Sequence, residues 1–490
     1  MKSSNIYSSF HKKTLKFLSN FFIIAIFLLV SCDKLLEEAP KSVVAENFFT
    51  TSQEFEAALN AIYPTLRNNR AEYLVRLDAQ TDWGYGRGSR SVYNTFTGLP
   101  SIDFHGGFWS AFYLMVRDAN WVIQNASVNT SVSKADLDKF AAEAKFLRAY
   151  AYFQLVRNWG AIPLRTELNT TDKDLKKSTA AEVYDFIIAD LKIAEANLPE
   201  VQALLGKPTK YAAKTLLADV YLTAGKYAES RDKIKEVIQS NKYALVPVTS
   251  KSDFQLKIFG PDLVTSTEEI FYCKCTRTPG AGNSILWILN APITGYFNFG
   301  GAYAHYSDLT NPFYVTWNNS DIRKSLWDNV NFGLGPNTLV CNKFIDTKAP
   351  DAASGGNDYP LYRYSEALLI YAEASCMASN GPTAEGVEAI NKVHRRAYGK
   401  DPNAPSAVDF NISDYNASSF QNLVLQERGY EFIFEGKRWL DLKRANKAAA
   451  VILAVRGITI AEKAYLWPIP STELNYNKAL DPAKDQNPGY

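Results

Sequence analysis

YAAKTLLADVYLTAGKYAESRDKIKEVIQS, residues 211–240, is the stretch on which the fold turns. Leu217, Ala218 and Tyr221 lie at helical spacing ahead of Gly225-Lys226-Tyr227, and Ser230 and Ile234 resume that spacing beyond it. The pattern predicts two helices, at about 208–224 and 227–239, folded back on each other at the glycine. Small residues let two such helices approach closely, and glycine accepts the backbone conformation of the turn.

The same paired layout recurs outward from this stretch, at about 361–379 with 384–397 and at 418–435 with 437–449. Upstream, helices are expected at roughly 109–126, 137–158 and 181–197; within the second, Ala144, Leu147, Ala151 and Leu155 mark one buried face. Thr51 or Ser52 caps a first helix that carries Phe55, Leu59, Ile62 and Leu66. The spacing over 211–240 resembles a tetratricopeptide repeat. The expected fold class is mainly α, a tetratricopeptide-like helix-pair scaffold with a large loop-rich insertion at 242–360. There prolines, glycines, asparagines and aromatics replace the helical period, with short extended runs such as 269–274. A second irregular stretch covers 80–107. Rigid frames usually carry their function on such segments.

The N-terminus sets the compartment. Lys2, Lys12, Lys13 and Lys16 precede an apolar run at 21–30, with no acidic residue before Asp33, which is the pattern of a secretory signal. Ten residues make about 15 Å of helix, too short to span a bilayer. The run ends in Leu29-Val30-Ser31-Cys32, which resembles a bacterial lipobox and makes Cys32 the expected lipidation site. Residues 1–31 are thus read as a lipoprotein signal peptide, 32–46 as a lipidated tether to the membrane, and 47–490 as the folded domain. Without the four signal lysines the chain has 49 basic and 51 acidic residues, so charge gives no reason to expect nucleic acid as a partner. Cys273, Cys275, Cys341 and Cys376 remain, and a domain of this size needs few disulfides.

No catalytic motif emerges, and neither cofactor nor metal is called for. Glu427, Glu431 and Glu435 recur every four residues and are the best acid–base candidates. Arg428, Lys437, Arg438, Lys443 and Arg444 lie among them, so the expected role is a structural ion-pair network. Aromatics carry the stronger signal. Tyr296, Phe297, Phe299, Tyr303, Tyr306, Phe313, Tyr314 and Trp317 fall within 27 residues, about twice what the chain's 13% aromatic content predicts. Rings beside Asn and Asp suit sugars, which offer apolar CH faces together with hydroxyls. The expected ligand-binding residues are Trp317, Tyr296, Tyr303, Tyr306 and Asn318 from the insertion, with Trp83 and Tyr85 from the earlier stretch. Trp317 leads because the polar run at 318–321 after it suits a surface loop.

Three further segments carry a family resemblance: EAKFLRAYAYFQLVRNWGAIPL (143–164), ERGYEFIFEGKRWLDLKR (427–444) and LWPIPSTELNYNKALDPAKDQNPGY (466–490). With the lipoprotein start and the helix pairs between them, the chain resembles the SusD/RagB family over nearly its whole mature length. The resemblance implies a surface-exposed outer-membrane lipoprotein, held by its lipid anchor like a lid over a SusC-like TonB-dependent transporter. It further implies capture of nutrient oligosaccharides without catalysis. The alternatives are a peptide-binding lid of the same transporter type and a surface glycosidase. Asp33 and Glu37-Glu38 are similar to the acidic export signal of such surface lipoproteins. The family motifs concern the scaffold, and ligand residues in variable loops cannot be carried over from them.

Overall fold

Thr51 caps helix α1 (Ser52–Asn60) through a reciprocal capping box with Glu54, and α2 (Tyr63–Asn68) and α3 (Arg70–Ala79) follow at once. This is a computed structural model that describes residues 48–299 and 305–490. The signal peptide at 1–31, Cys32 with its tether at 32–46, and Tyr303 lie outside the described residues. Residues 51–490 form one compact unit.

Helices α4 (Gly106–Val128), α5 (Lys134–Trp159), α6 (Ala180–Asn197), α7 (Lys210–Thr223) and α8 (Tyr227–Gln239) pack successively, each on the next. Ala144, Leu147, Ala151 and Leu155 are fully buried, as the periodicity predicts, but so are Phe146, Tyr152 and Phe153 on other faces of α5. With α4 and α6 both against it, this helix is buried nearly all round. The α7–α8 turn follows the sequence reading closely. Gly225 has φ +74°, and Ser230 Oγ donates to the Ala218 carbonyl at 2.8 Å, tying the two helices together.

The segment after α8 contains more sheet than its loop-rich composition suggests. Strands β1 (Tyr85–Gly86), β2 (Glu269–Cys273), β3 (His305–Asp308), β4 (Trp327–Asn329), β5 (Thr338–Cys341) and β6 (Tyr359–Arg363) make two sheets. One is four-stranded in the order β1-β3-β5-β4, and the other pairs β2 with β6. The first joins the stretch 80–107 to the insertion, so the two irregular segments meet. The short helix α9 (Pro312–Val315) lies between β3 and β4 in sequence, capped by Asn311.

The scaffold then resumes with α10 (Tyr364–Ser379), α11 (Ala384–Ala397), α12 (Ala417–Glu431), α13 (Arg438–Arg444) and α14 (Ala448–Arg456). α10 packs on α8, closing the frame across the insertion. Periodicity runs past two of the helix ends here. α12 stops at Glu431, and the chain turns over 432–436 through Phe434 (φ +57°) and Gly436 (φ +70°), where a Cβ on the glycine would meet Leu74 Cδ2 of α3 at 2.6 Å. The helix expected at 437–449 is broken by Asn446 in the left-handed conformation, so α13 and α14 are separate. Cys273, Cys275, Cys341 and Cys376 are all buried and free. Among the described residues no helix is long and apolar enough to cross a membrane.

Candidate functional site: one face of the inserted sheet

Pairing of β1 with β3 sets Tyr85 directly opposite Tyr306. Cross-strand partners share a face of the sheet, and the two rings stack with centres 5.4 Å apart and planes 17° from parallel. The Arg456 guanidinium, at the end of α14, sits 3.8 Å from the centre of the Tyr85 ring. It is held there by donating to the carbonyls of Thr81 (3.1 Å) and Gly84 (2.9 Å). β3 pairs with β5 through Ser307–Leu339 and Asp308–Thr338, a register that continues to Tyr306–Val340, and Val340 pairs with Asp328 on β4. A row therefore crosses the sheet from Tyr85 through Tyr306 and Val340 to Asp328, about 14 Å at ordinary strand spacing.

The far end of the row is polar. Lys251 Nζ donates to Asp328 Oδ1 at 2.9 Å and to the Tyr296 hydroxyl at 3.2 Å. Tyr314 on α9 lies under Lys324, whose Nζ is 4.6 Å from the ring centre and donates to the Trp317 carbonyl and the Asn319 side chain. Tyr85, Tyr306, Asp328, Lys251 and Tyr296 are all half-buried, which leaves part of each side chain open to a ligand. Val340, in the middle of the row, is buried, so the ring pair and the polar cluster are two open patches, one suited to CH–π stacking and the other to hydrogen bonding.

Of the residues singled out from sequence, Tyr85 and Tyr306 meet at one end of this row and Tyr296 stands at the other. Asn318 is exposed on the loop after α9, where its carboxamide oxygen accepts from Ser320 N at 2.9 Å. Two expectations are corrected. Trp317 is not on a surface loop: it is 2% exposed, stacks on Tyr430 of α12 at 4.1 Å, and donates from Nε1 to Asp321 at 2.9 Å. The polar run after it is exposed at 318–320, but Asp321 turns inward to pair with Arg323 and draws the ring with it. Trp83 is 1% exposed and packs edge-on against Trp327 and Phe434 in the core. Neither ring offers a face to a sugar. Arg456, Lys251 and Asp328 escaped the sequence reading, since each stands in an ordinary stretch far in sequence from its partners.

The carboxylates at 427, 431 and 435 are buried and engaged. Arg323 reaches Glu427 at 2.8 Å and Glu431 at 2.9 Å, Arg363 and Arg396 also bind Glu431, and Lys343 and Arg363 hold Glu435. Burial pushes the Glu431 carboxyl up, yet Arg396, Arg363 and Arg323 together hold it well below the usual carboxylate range. The expected ion-pair network is present, but these partners come from the insertion, β6 and α11 rather than from the neighbouring basic residues. Arg323 and Lys343 thereby seat the insertion on the scaffold. Breaking one partner of such a buried pair costs about 3–5 kcal/mol.

A helix-pair frame that closes across an inserted sheet defines a class of repeat-scaffold proteins. Sequence comparison gives the family. The SusD family profile matches residues 294–490, and one described as "Starch-binding associating with outer membrane" matches 45–222. SusD-like protein P2 of Formosa agariphila is 30% identical over 519 aligned residues, which cover 96% of this chain and 99% of that one. A SusD-like protein of Bacteroides ovatus is 26% identical, with 85% and 80% covered. Among solved structures, a SusD homolog from Bacteroides thetaiotaomicron superposes with a TM-score of 0.78 at 22% identity, over 93% of this chain and all of that one. Surface glycan-binding protein A from the same organism, in complex with laminarihexaose, gives 0.72 at 20% identity, with 89% and 99% covered. The chain belongs to the SusD/RagB family.

Proposed function

We propose that this protein is a surface-exposed outer-membrane lipoprotein, anchored through Cys32, that binds nutrient oligosaccharides and hands them to a SusC-like TonB-dependent transporter. The observation that carries the ligand class is the stacked pair Tyr85–Tyr306, backed by Arg456 and half-open to solvent. Parallel rings present a flat apolar surface of the kind a pyranose CH face covers, and the Lys251–Asp328–Tyr296 cluster supplies hydrogen bonds further along. The laminarihexaose bound by a protein of the same fold supports a carbohydrate in preference to a peptide. Catalysis is not part of this reading, because Glu427, Glu431 and Glu435 are each committed to buried cations.

The experiment is affinity purification of the tagged protein from outer membranes, alongside Cys32→Ala. The wild type should be retained in the membrane fraction and bring down a TonB-dependent barrel, while Cys32→Ala should be unprocessed or soluble. Normal processing and retention of Cys32→Ala would remove the lipoprotein claim, and a barrel-free preparation would remove the transporter claim.

A further inference from the structure

The groove between α9 and α14 has no part in the row described above, yet it has the make-up of a ligand site. Its volume is about 530 Å³, within the range of small-ligand pockets, roughly 300–1,000 Å³. One wall is the face of α14 bearing Ala450, Val451 and Ala454; the opposite side carries Thr316, Asn422 and Gln426. The floor is Asp82 held by Arg438, with Nε–Oδ1 at 3.0 Å and Nη2–Oδ2 at 2.6 Å, a pair that satisfies itself.

The groove joins the stacking platform at two places. Val455 lines the groove while the next residue, Arg456, stacks on Tyr85. Asp82 lines it three residues before Tyr85 in the same loop. Groove and platform thus share two segments, the end of α14 and the loop from Asp82 to Tyr85, with the Arg456–Tyr85 contact standing between the groove and the outer face of Tyr306, so only a chain long enough to pass that contact can reach both. Its walls are largely helix faces whose backbone groups are already paired, so an extended peptide would find no strand edge to join. A sugar chain needs none: small apolar side chains meet its CH faces, and its hydroxyls meet the Asn422 carboxamide and the oxygens of Gln426 and Thr316, whose own donors go to the Tyr430 hydroxyl and the Pro312 carbonyl.

We infer that the α9–α14 groove is a second subsite for the same oligosaccharide, so that the protein selects longer chains over short ones. The inference rests on the carbohydrate reading of the Tyr85–Tyr306 platform. It is tested with purified wild type, Ala454→Trp and Tyr306→Ala, each titrated with di- to octasaccharides from laminarin, starch, xylan, mannan and alginate. Ala454 is exposed, so the tryptophan fills the groove without entering the core, and an unchanged melting temperature checks this. The double variant Asn422→Ala/Gln426→Ala removes the carboxamides instead, and should act in the same way. Wild-type affinity should rise by about tenfold from disaccharide to hexasaccharide, and Ala454→Trp should reduce that rise to within about twofold while leaving disaccharide binding intact. Tyr306→Ala should weaken every length. A length dependence that survives both groove variants overturns the groove and leaves the platform standing. Loss of binding in the groove variants with none in Tyr306→Ala overturns the platform, and with it the two-subsite arrangement. Failure of wild type to bind any of these sugars overturns both.

Discussion

Arg456 and Tyr85 stand near opposite ends of the chain, and the fold lays the guanidinium of one 3.8 Å from the ring centre of the other. Tyr306 stacks on the same ring at 5.4 Å, so the two neighbours take its two faces. Tyr85 is thus a spacer, and the outer face of Tyr306 is the surface left for a ligand. A cation against an aromatic ring contributes about 0.5–2 kcal/mol, depending on how far it is desolvated, which fixes the platform before any sugar arrives.

Trp317 is expected to act in the opposite way. It is sandwiched against Tyr430 and Phe313 and hydrogen-bonded to Asp321, so Trp317→Ala should destabilise the protein by about 3–5 kcal/mol. Folded Trp317→Ala should bind sugar with wild-type affinity. A denaturant melt and a titration on the same preparation check this; an unchanged melt with lost binding would return the ring to the ligand site.

Gly225→Val tests the repeat turn. No atom lies within 4 Å of a Cβ built at this position, so the cost comes from φ +74° alone, at least about 1 kcal/mol for a β-branched residue. Gly225→Asn should cost less, because asparagine tolerates the left-handed region. Equal melting temperatures for all three proteins would mean that the turn is not what limits this residue.

Acid sensitivity follows from the buried carboxylates. Burial raises Asp441, but Arg428 and Arg444 outweigh it and hold the carboxyl at about 2. A folded value below the unfolded one contributes stability that is complete above the unfolded value and is lost as pH falls through the folded one. Asp441 should therefore contribute on the order of 2 kcal/mol at neutral pH that fades between about pH 4 and pH 2. Melting temperature against pH should fall steeply over that window, and Asp441→Asn should be less stable at neutral pH with a flatter acid limb. Parallel curves for the two proteins would show that the pair with Arg428 and Arg444 does not set the limb.

The scaffold was legible because its signals are local. Gly225 between two helical periods, Thr51 or Ser52 ahead of Phe55, and the alanines and leucines of α5 each report on residues within a turn or two. The sheet was not, because β1 is two residues long and its partner β3 lies far along the chain. The density of rings drew attention to 296–317, but density does not say which way a ring points. Tyr85 and Tyr306 stay half-open because they are cross-strand partners on one face of a sheet, whereas Trp317 is turned inward by an ion pair, Asp321–Arg323, that its polar neighbours conceal. Arg456, Lys251 and Asp328 complete the face by contacts that are long-range in sequence, which no periodicity records.

The central claim, that carbohydrate is captured on the Tyr85–Tyr306 platform, is tested most directly by calorimetric titration of Tyr306→Ala beside wild type, using whichever oligosaccharide the wild type binds. Tyr306 is half-buried, so its removal should leave the melting temperature close to wild type. The account predicts a loss of about 1–2 kcal/mol of binding energy, roughly five- to thirtyfold in affinity, from the lost stacking face. Wild-type affinity in a Tyr306→Ala protein that melts normally would contradict it.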